Sequence, residues 1–296
     1  MMLVDGITYI HEHTTIDLSY VKGNSDTLLR HFEATVAEYR ALYTKGVRNI
    51  VDVTTLGMHR DAQYVAEVAR ASGMNILQAT GFYTQKFYAP FEPWFSQCEA
   101  KEIAEVMHKE IAEGLDGTTI KPQIIGEIGT SKDGWTPLEQ KLFEAAVMVH
   151  RESCLPIATH CTLGTFAQEQ MAFFQERGVE LTRVMLGHID LKGDLDYTLR
   201  LLEQGVYIGF DTIGKENYLP DSQRIAMLKA IEARGYIGQV MLSMDITRQS
   251  HLKVFGGIGY SYLLDTFVPK ALEAGLSQRA ITQMLRDNPQ QFFGKG

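Results

Sequence analysis

The chain has only three cysteines, Cys98, Cys154 and Cys161, and none forms a C-x-x-C pair. That excludes a disulfide-built scaffold and suits a reducing compartment. Cationic residues are in deficit: 28 Lys and Arg against 36 Asp and Glu leave a net charge of -8. No nucleic-acid partner is expected, because binding a phosphate backbone requires a basic face. A small anionic substrate is still compatible, since a site can be locally positive. No run approaches the ~20 apolar residues of a membrane span. The opening segment MMLVDGITYI has neither a basic stretch nor a long apolar core. No secretory leader and no membrane partner are therefore expected, and the expected location is cytoplasmic. Linkers, repeats and low-complexity stretches are also missing, so residues 1–296 read as one domain.

Eight short apolar runs rich in Val and Ile punctuate the chain. They are ITYIHEH (7–13), VRNIVDVT (47–54), MNILQATG (74–81) and KPQIIGEIG (121–129), then LPIATHC (155–161), RVMLGHI (183–189), VYIGFDT (206–212) and QVMLSMD (239–245). Such runs suit strands buried on both faces. Helical patterns separate them at 26–45, 61–72, 99–114, 165–177, 195–204 and 221–234. Thr136-Pro137-Leu138-Glu139 has the form of a capping box with proline at the first helical position, opening a helix to about Ser153. A last helix is expected near 277–287 with Ser277 as its N-cap. Strand and helix alternating eight times predict a parallel sheet, and the even composition favours closure into a single-domain (β/α)8 TIM barrel of the α/β class.

Six residues able to ligate a metal fall at the C-terminal ends of these runs: His11, His13, Glu127, His160, His188 and Asp245. A barrel gathers those ends into one ring. His11 and His13 share a strand face, about 6.6 Å apart at ~3.3 Å per residue, and Glu12 points the other way. Asp245 ends the strand beside them in a closed barrel. His160 and His188 end neighbouring strands. Glu127 lies between the two groups, where its two oxygens could bridge two cations. Two such cations activate a shared water, and burying this many imidazoles and carboxylates without a cation is costly. Two divalent cations are therefore expected, zinc by ligand type, with manganese or cobalt also fitting. Asp245 is the expected catalytic proton acceptor. Cys161 alternates away from His160 and reads as a packing residue. His31, His108 and His150 lie in helical segments and read as solvated; no role is assigned to His59, and His251 stays open.

Three loops are longer than a barrel needs: 14–25, 82–98 and 246–259. The second, FYTQKFYAPFEPWFSQC, is dense in aromatics and would either cover the site or form the contact of a homodimer. Tyr83, Lys215, Arg248 and Lys253 follow strands three, seven and eight, so they are candidate substrate-binding residues. Lys192, after strand six, is a further candidate. Loops after strands seven and eight frequently hold phosphate in barrels.

The H-x-H pair on strand one, the later histidines and aspartate, and the segments ATGFY, GEIGTS, DTIGK and MLSMDITR resemble the phosphotriesterase family of the amidohydrolase superfamily, in particular its bacterial homology-protein branch. The likeness spans the whole chain. It implies that His11, His13 and Asp245 ligate a more buried cation and that His160 and His188 ligate a more exposed one. Many family members bridge the two with a carboxylated lysine on strand four. Here that strand offers Glu127, which needs no bicarbonate. The resemblance implies metal-dependent hydrolysis of an ester-like bond, with a lactone or carboxylic ester of a phosphorylated sugar as the leading substrate class. A phosphotriester or phosphodiester hydrolase, a one-metal deaminase and a non-catalytic metal-binding protein remain alternatives.

Overall fold

The computed structural model describes residues 3–294. Eight parallel strands run in sequence order around one sheet: β1 (Ile7–Glu12), β2 (Val47–Asp52), β3 (Asn75–Thr80), β4 (Ile124–Thr130), β5 (Ile157–Cys161), β6 (Val184–Gly187), β7 (Tyr207–Phe210) and β8 (Val240–Leu242). Helices return the chain between them: α1 (Phe32–Thr44), α2 (Ala62–Ser72), α3 (Ala100–Glu113), α4 (Pro137–Ser153), α5 (Ala167–Glu176), α6 (Leu195–Leu202), α7 (Asp221–Ala233) and α8 (Val268–Glu273). This is the expected (β/α)8 TIM barrel. None of these helices is long and apolar enough to cross a membrane.

Two cores hold it together. Inside the barrel, every strand contributes: Ile10, Val51, Ala79, Ile124, Ala158, Met185, Tyr207 and Met241 pack in one cluster, with Phe292 beneath them. Between sheet and helices lies the larger core, which includes Cys161. The seam from β8 to β1 is closed differently from the other strand junctions. Among the described residues no backbone ladder joins these strands. Instead the buried Glu12 carboxylate accepts from Ser243 Oγ (2.7 Å), Met244 N (2.8 Å) and Ile246 N (3.1 Å). Burial pushes its carboxyl up to about 7, against the pull of those three donors.

Helix ends follow the local chemistry. Thr136 accepts from Glu139 N, and the Glu139 side chain accepts from Thr136 N, so the capping box forms. Ser277 accepts from Ala280 N and opens α9 (Gln278–Thr282). The C-terminal helical run extends past the expected 287, through a π turn into α10 (Asn288–Gly294). A second correction concerns 26–45. Its helix begins only at Phe32, because Leu28–Leu29 pairs antiparallel with Ile16–Asp17. Asn24 caps a short turn just before that pair. Helical spacing of apolar residues therefore overshot into a segment used as a strand.

Candidate metal centre

Strand alternation alone would not build this site. In β1, Ile10 faces the barrel interior, so the next residue should face out. A register shift between Tyr9 and Glu12 lets His11 turn inward as well. The same device recurs in β4, where Ile124 faces in and a shift between Ile125 and Ile128 re-aims Glu127. Gly126 permits this: its φ is +103°, and a Cβ there would lie 2.0 Å from the Ala158 carbonyl oxygen. His188 and Asp245 sit just past their strands with φ of 60° and 50°, another departure from extended backbone.

The four histidines and Glu127 converge. Glu127 Oε1 lies 3.4 Å from His13 Nε2. Its Oε2 lies 3.6 Å from His11 Nε2, 3.0 Å from His160 Nδ1 and 3.5 Å from His188 Nε2. Asp245 Oδ1 lies 3.3 Å from His13 Nε2 and 3.8 Å from His11 Nε2. Two ligand groups share the Glu127 carboxylate: His11 and His13 on one side, His160 and His188 on the other, and each can hold a cation. The chemistry of the set fits divalent metal. Nε2 of fully buried His11 has no hydrogen-bond partner among the described residues and points at two carboxylates, while its Nδ1 lies 3.2 Å from Asp211 Oδ2. A buried imidazole nitrogen without a partner is costly unless a cation takes its lone pair.

Electrostatics agree. Without a cation, burial disfavours the charged form of His11, but Glu127 and Asp211 outweigh it and hold the imidazole well above its ordinary range. Burial likewise opposes His188, yet Asp211 pushes it up to about 10. Burial and the neighbouring His188 instead lower His160. Burial works to raise Glu127, and the surrounding imidazoles overcome it, holding it well below the carboxylate range.

The histidines are oriented from behind. His13 Nδ1 lies 2.8 Å from Thr54 Oγ1, which itself donates to the Thr15 carbonyl. His160 Nε2 lies 3.1 Å from Thr162 Oγ1, which donates to the Thr130 carbonyl. Both threonine hydroxyls are already spent as donors, so they accept from the imidazoles. This fixes Nε2 of His13 and Nδ1 of His160 as the ligating atoms. Asp211, a residue the sequence reading did not select, serves both His11 and His188. Its signal was present: VYIGFDT carries an acid one residue before its end, and the inward alternation Tyr207, Gly209, Asp211 points it at the site.

A cavity of about 400 Å³ opens above the ligands, lined by Val21, Lys22, Tyr83, Lys86, Lys215 and Tyr218 among others. Tyr83 OH lies 3.0 Å from His160 Nδ1, and burial keeps its hydroxyl well above its usual range, so it remains a donor. The Lys215 ammonium pairs with Asp245 Oδ2. Arg248 pairs instead with Asp26 at 3.3 Å and does not line the cavity. Lys253 lies outside it as well, with its ammonium 2.5 Å from Ser261 Oγ, against a separate groove beside α1. Lys192 is likewise absent from the cavity wall and lies over the Tyr197 ring. Lys22 and Lys86, which the sequence reading missed, come from the long loops after β1 and β3. The 82–98 loop puts most of its aromatics inward: Phe82, Tyr88 and Phe95 are buried, and the last two stack at 4.0 Å. His31 bonds Gln249, His108 faces Glu152 and His150 faces the Leu155 carbonyl, all away from the cavity. His59 lies against Tyr20. Burial, with Lys215 nearby, pushes His251 down to about 4.

Comparison with known proteins places the chain. The sequence profile of the Phosphotriesterase family matches residues 3–293. The chain belongs to the phosphotriesterase family. It is 47% identical to the phosphotriesterase homology protein of Escherichia coli K12 over 97% of this chain and 98% of that one. The crystal structure of the Escherichia coli protein, with phosphate in its active site, superimposes with a TM-score of 0.95 over 98% of this chain and 99% of that one. A lactonase from Listeria monocytogenes, 27% identical, superimposes with a TM-score of 0.92 over 97% of this chain and 94% of that one. As a phosphotriesterase-family chain with both ligand groups in place, it is related to lactonases and phosphotriesterases alike.

Proposed function

We propose that this protein is a binuclear metal-dependent hydrolase acting on a lactone or carboxylic ester of an anionic, phosphorylated sugar. The observation that carries the reading is the cavity wall. Lys22, Lys86 and Lys215 line the same pocket as Glu127, His160, His188 and Asp245. A net acidic chain that gathers three ammonium groups at one cavity is equipped to recognise an anion. The lactonase relative and the phosphate held by the Escherichia coli protein support this reading. A neutral aryl phosphotriester would make no use of Lys22 and Lys86, while Lys215 already pairs with Asp245.

His11, His13 and Asp245 would hold one cation, His160 and His188 the other, with Glu127 shared. Zinc suits this mixed imidazole and carboxylate set, and manganese and cobalt also fit. The cations would supply an ionised water at neutral pH and polarise the ester oxygen. The chain does the rest. Lys22 and Lys215 draw in the anionic group, and Tyr83 OH donates to a substrate oxygen. Asp245 Oδ2, once Lys215 turns to the substrate, accepts the proton of the attacking water and returns it to the leaving oxygen. Val21, Leu163 and Tyr218 at the rim exclude bulk water. We propose a cytoplasmic location, which suits three cysteines that are all free thiols.

The test is metal content per chain, followed by turnover of sugar lactones, phosphorylated lactones and aryl phosphotriesters. Near two cations and a clear preference for phosphorylated lactones are expected. A preference for neutral phosphotriesters would overturn the substrate class, and two cations without any turnover would favour a non-catalytic role.

A further inference from the structure

Asp211 stands behind the site, fully buried, and the mechanism above does not use it. Its Oδ1 accepts from His188 Nδ1 at 2.8 Å and from the His188 backbone N–H at 3.0 Å. Its Oδ2 lies 3.2 Å from His11 Nδ1. The two imidazoles it faces belong to different cation positions, and both turn Nε2 toward Glu127. The pocket around it is built for the purpose. A Cβ on Gly209 would lie 2.3 Å from Asp211 Oδ2, and one on Gly187 would lie 3.3 Å from it. These interior positions are glycine where the layer below them holds Tyr207 and Met185.

We infer that Asp211 is a positioning residue that couples the two cation sites, one carboxylate fixing the tautomer and orientation of one histidine ligand of each. This rests on the binuclear reading above. His11, His188 and Asp211 also lie close enough to hold a cation; Asp211 is placed behind the ligands because both its oxygens face Nδ1 atoms while both Nε2 atoms face Glu127. The coupling has a physical route. With its Nε2 on a cation, His188 would present a more strongly donating Nδ1–H, and Asp211 would be held closer to His188. The 3.2 Å contact to His11 changes with it, and so does the fit of the other cation. Glu127 couples the sites from the front; Asp211 couples them from the back.

The support is itself braced. Next to Asp211, Thr212 Oγ1 donates to Asp190 Oδ2 at 2.5 Å, and buried Arg224 donates to both at 2.8 and 2.7 Å. This buried network holds the backbone next to Asp211, whose own carboxylate faces the two imidazoles.

The experiment is a double-mutant cycle read by metal-binding calorimetry rather than by turnover. The parent and the Asp211→Asn, His188→Ala and doubly substituted proteins are stripped of metal and titrated with zinc. Asp211→Asn is expected to weaken both cations, by 10–100-fold each, the usual effect of losing such a partner. His188→Ala should weaken the His11/His13 cation severalfold in the parent and less than twofold in the Asp211→Asn background. Equal losses in both backgrounds would assign the coupling to Glu127 and overturn the inference. So would an Asp211→Asn protein that loses only one cation. A second measurement needs no variant. In the zinc-loaded parent, 15N-histidine spectra should show His11 and His188 both protonated at Nδ1, and the other tautomer at either residue would refute the role. If the parent binds fewer than two zinc ions, the binuclear reading itself fails, which is distinct from two ions bound without coupling through Asp211.

Discussion

Replacing Glu127 with glutamine tests the centre most directly. The carboxylate stands within 3.0–3.6 Å of a nitrogen on each of four imidazoles, so it faces every histidine of both ligand groups. Glutamine keeps the volume and one oxygen but removes the charge, and it turns an N–H₂ toward one of the groups. The two groups should not suffer equally. His11 and His13 still have Asp245, whereas among the described residues no second acid forms an ion pair with His160 Nδ1 or His188 Nε2. The His160/His188 cation should therefore be lost first. A unit charge pair about 4 Å apart is worth about 4 kcal/mol at an effective dielectric of 20. That corresponds to a roughly thousandfold weaker dissociation constant at about 1.4 kcal/mol per decade.

The assay is elemental analysis after dialysis at fixed free zinc, with circular dichroism to show that the fold persists. Metal content should drop from near two to near one per chain. Retention of both cations within about threefold of the parent affinity would refute Glu127 as the bridge. Because Glu127 is a carboxylate by birth, loading of the parent should not change when carbon dioxide and bicarbonate are removed. A requirement for bicarbonate would contradict the assignment of the bridge.

Metal-free His188, raised to about 10 by Asp211 against the effect of burial, should give up its proton when zinc binds. At pH 7–8, calorimetry in buffers of different ionisation enthalpy should register release of at least one proton per chain, and apparent affinity should fall as pH falls; no release would contradict it. In the metal-free protein the raised His188 contributes stability that is fully present below the unfolded value of ~6.5 and lost as pH rises toward about 10. Thermal unfolding against pH checks that sign, and a metal-free protein that gains stability over this range would show it to be wrong. Glu12→Ala should cost about 4 kcal/mol in chemical unfolding, since it strands the Ser243 hydroxyl and two backbone N–H groups at the seam, each worth ~1–3 kcal/mol. A loss below about 1 kcal/mol would mean that the seam does not depend on it. Gly126→Ala should displace Glu127 through the 2.0 Å clash with Ala158 O and lower metal content, which normal loading would disprove. Lys22→Met should reduce kcat/KM for phosphorylated lactones about tenfold or more and barely alter neutral lactones, whereas Arg248→Ala, paired with Asp26, should do less. The reverse order would place the anion nearer Arg248.

Periodicity made the barrel legible. Eight Val- and Ile-rich runs separated by helical spacing leave few alternatives to a parallel closed sheet, and Thr136-x-x-Glu139 and Ser277 marked helix starts that the structure uses. The ligand types were legible because each candidate stands at the end of such a run. What the sequence concealed is backbone irregularity and side-chain reach. Nothing in ITYIHEH announces that β1 shifts register between Tyr9 and Glu12. Nothing in the loops separates Arg248, which turns back to Asp26, from Lys22, which turns into the cavity. Long cationic side chains have many rotamers, and the nearest carboxylate decides among them. Residues 28–29 misled for a related reason, since their pairing partner at 16–17 lies across a turn that periodicity does not encode.

Several departures from local rule fall on the site. Register shifts lie at His11 and Glu127, with a further one at Ile7/Thr8, and two of the eight left-handed non-glycine residues, His188 and Asp245, are candidate ligands. The interior glycines Gly187 and Gly209 flank Asp211. A regular barrel would send alternate side chains inward at fixed heights, one layer of four above another. Such layers cannot bring four imidazoles and a carboxylate to one point, because their strand ends lie at different heights and azimuths. Each shift or left-handed residue moves one side chain by a fraction of a repeat. The barrel beneath, packed on Ile10, Met185, Tyr207 and their neighbours, stays regular enough to hold these local strains. At His11, Glu127, His188 and Asp245 the local irregularity coincides with a ligand position, as expected where a site overrides local rules. It also explains why Asp211 escaped notice: it obeys alternation and looks ordinary, yet its function comes from the irregular neighbours that turn toward it.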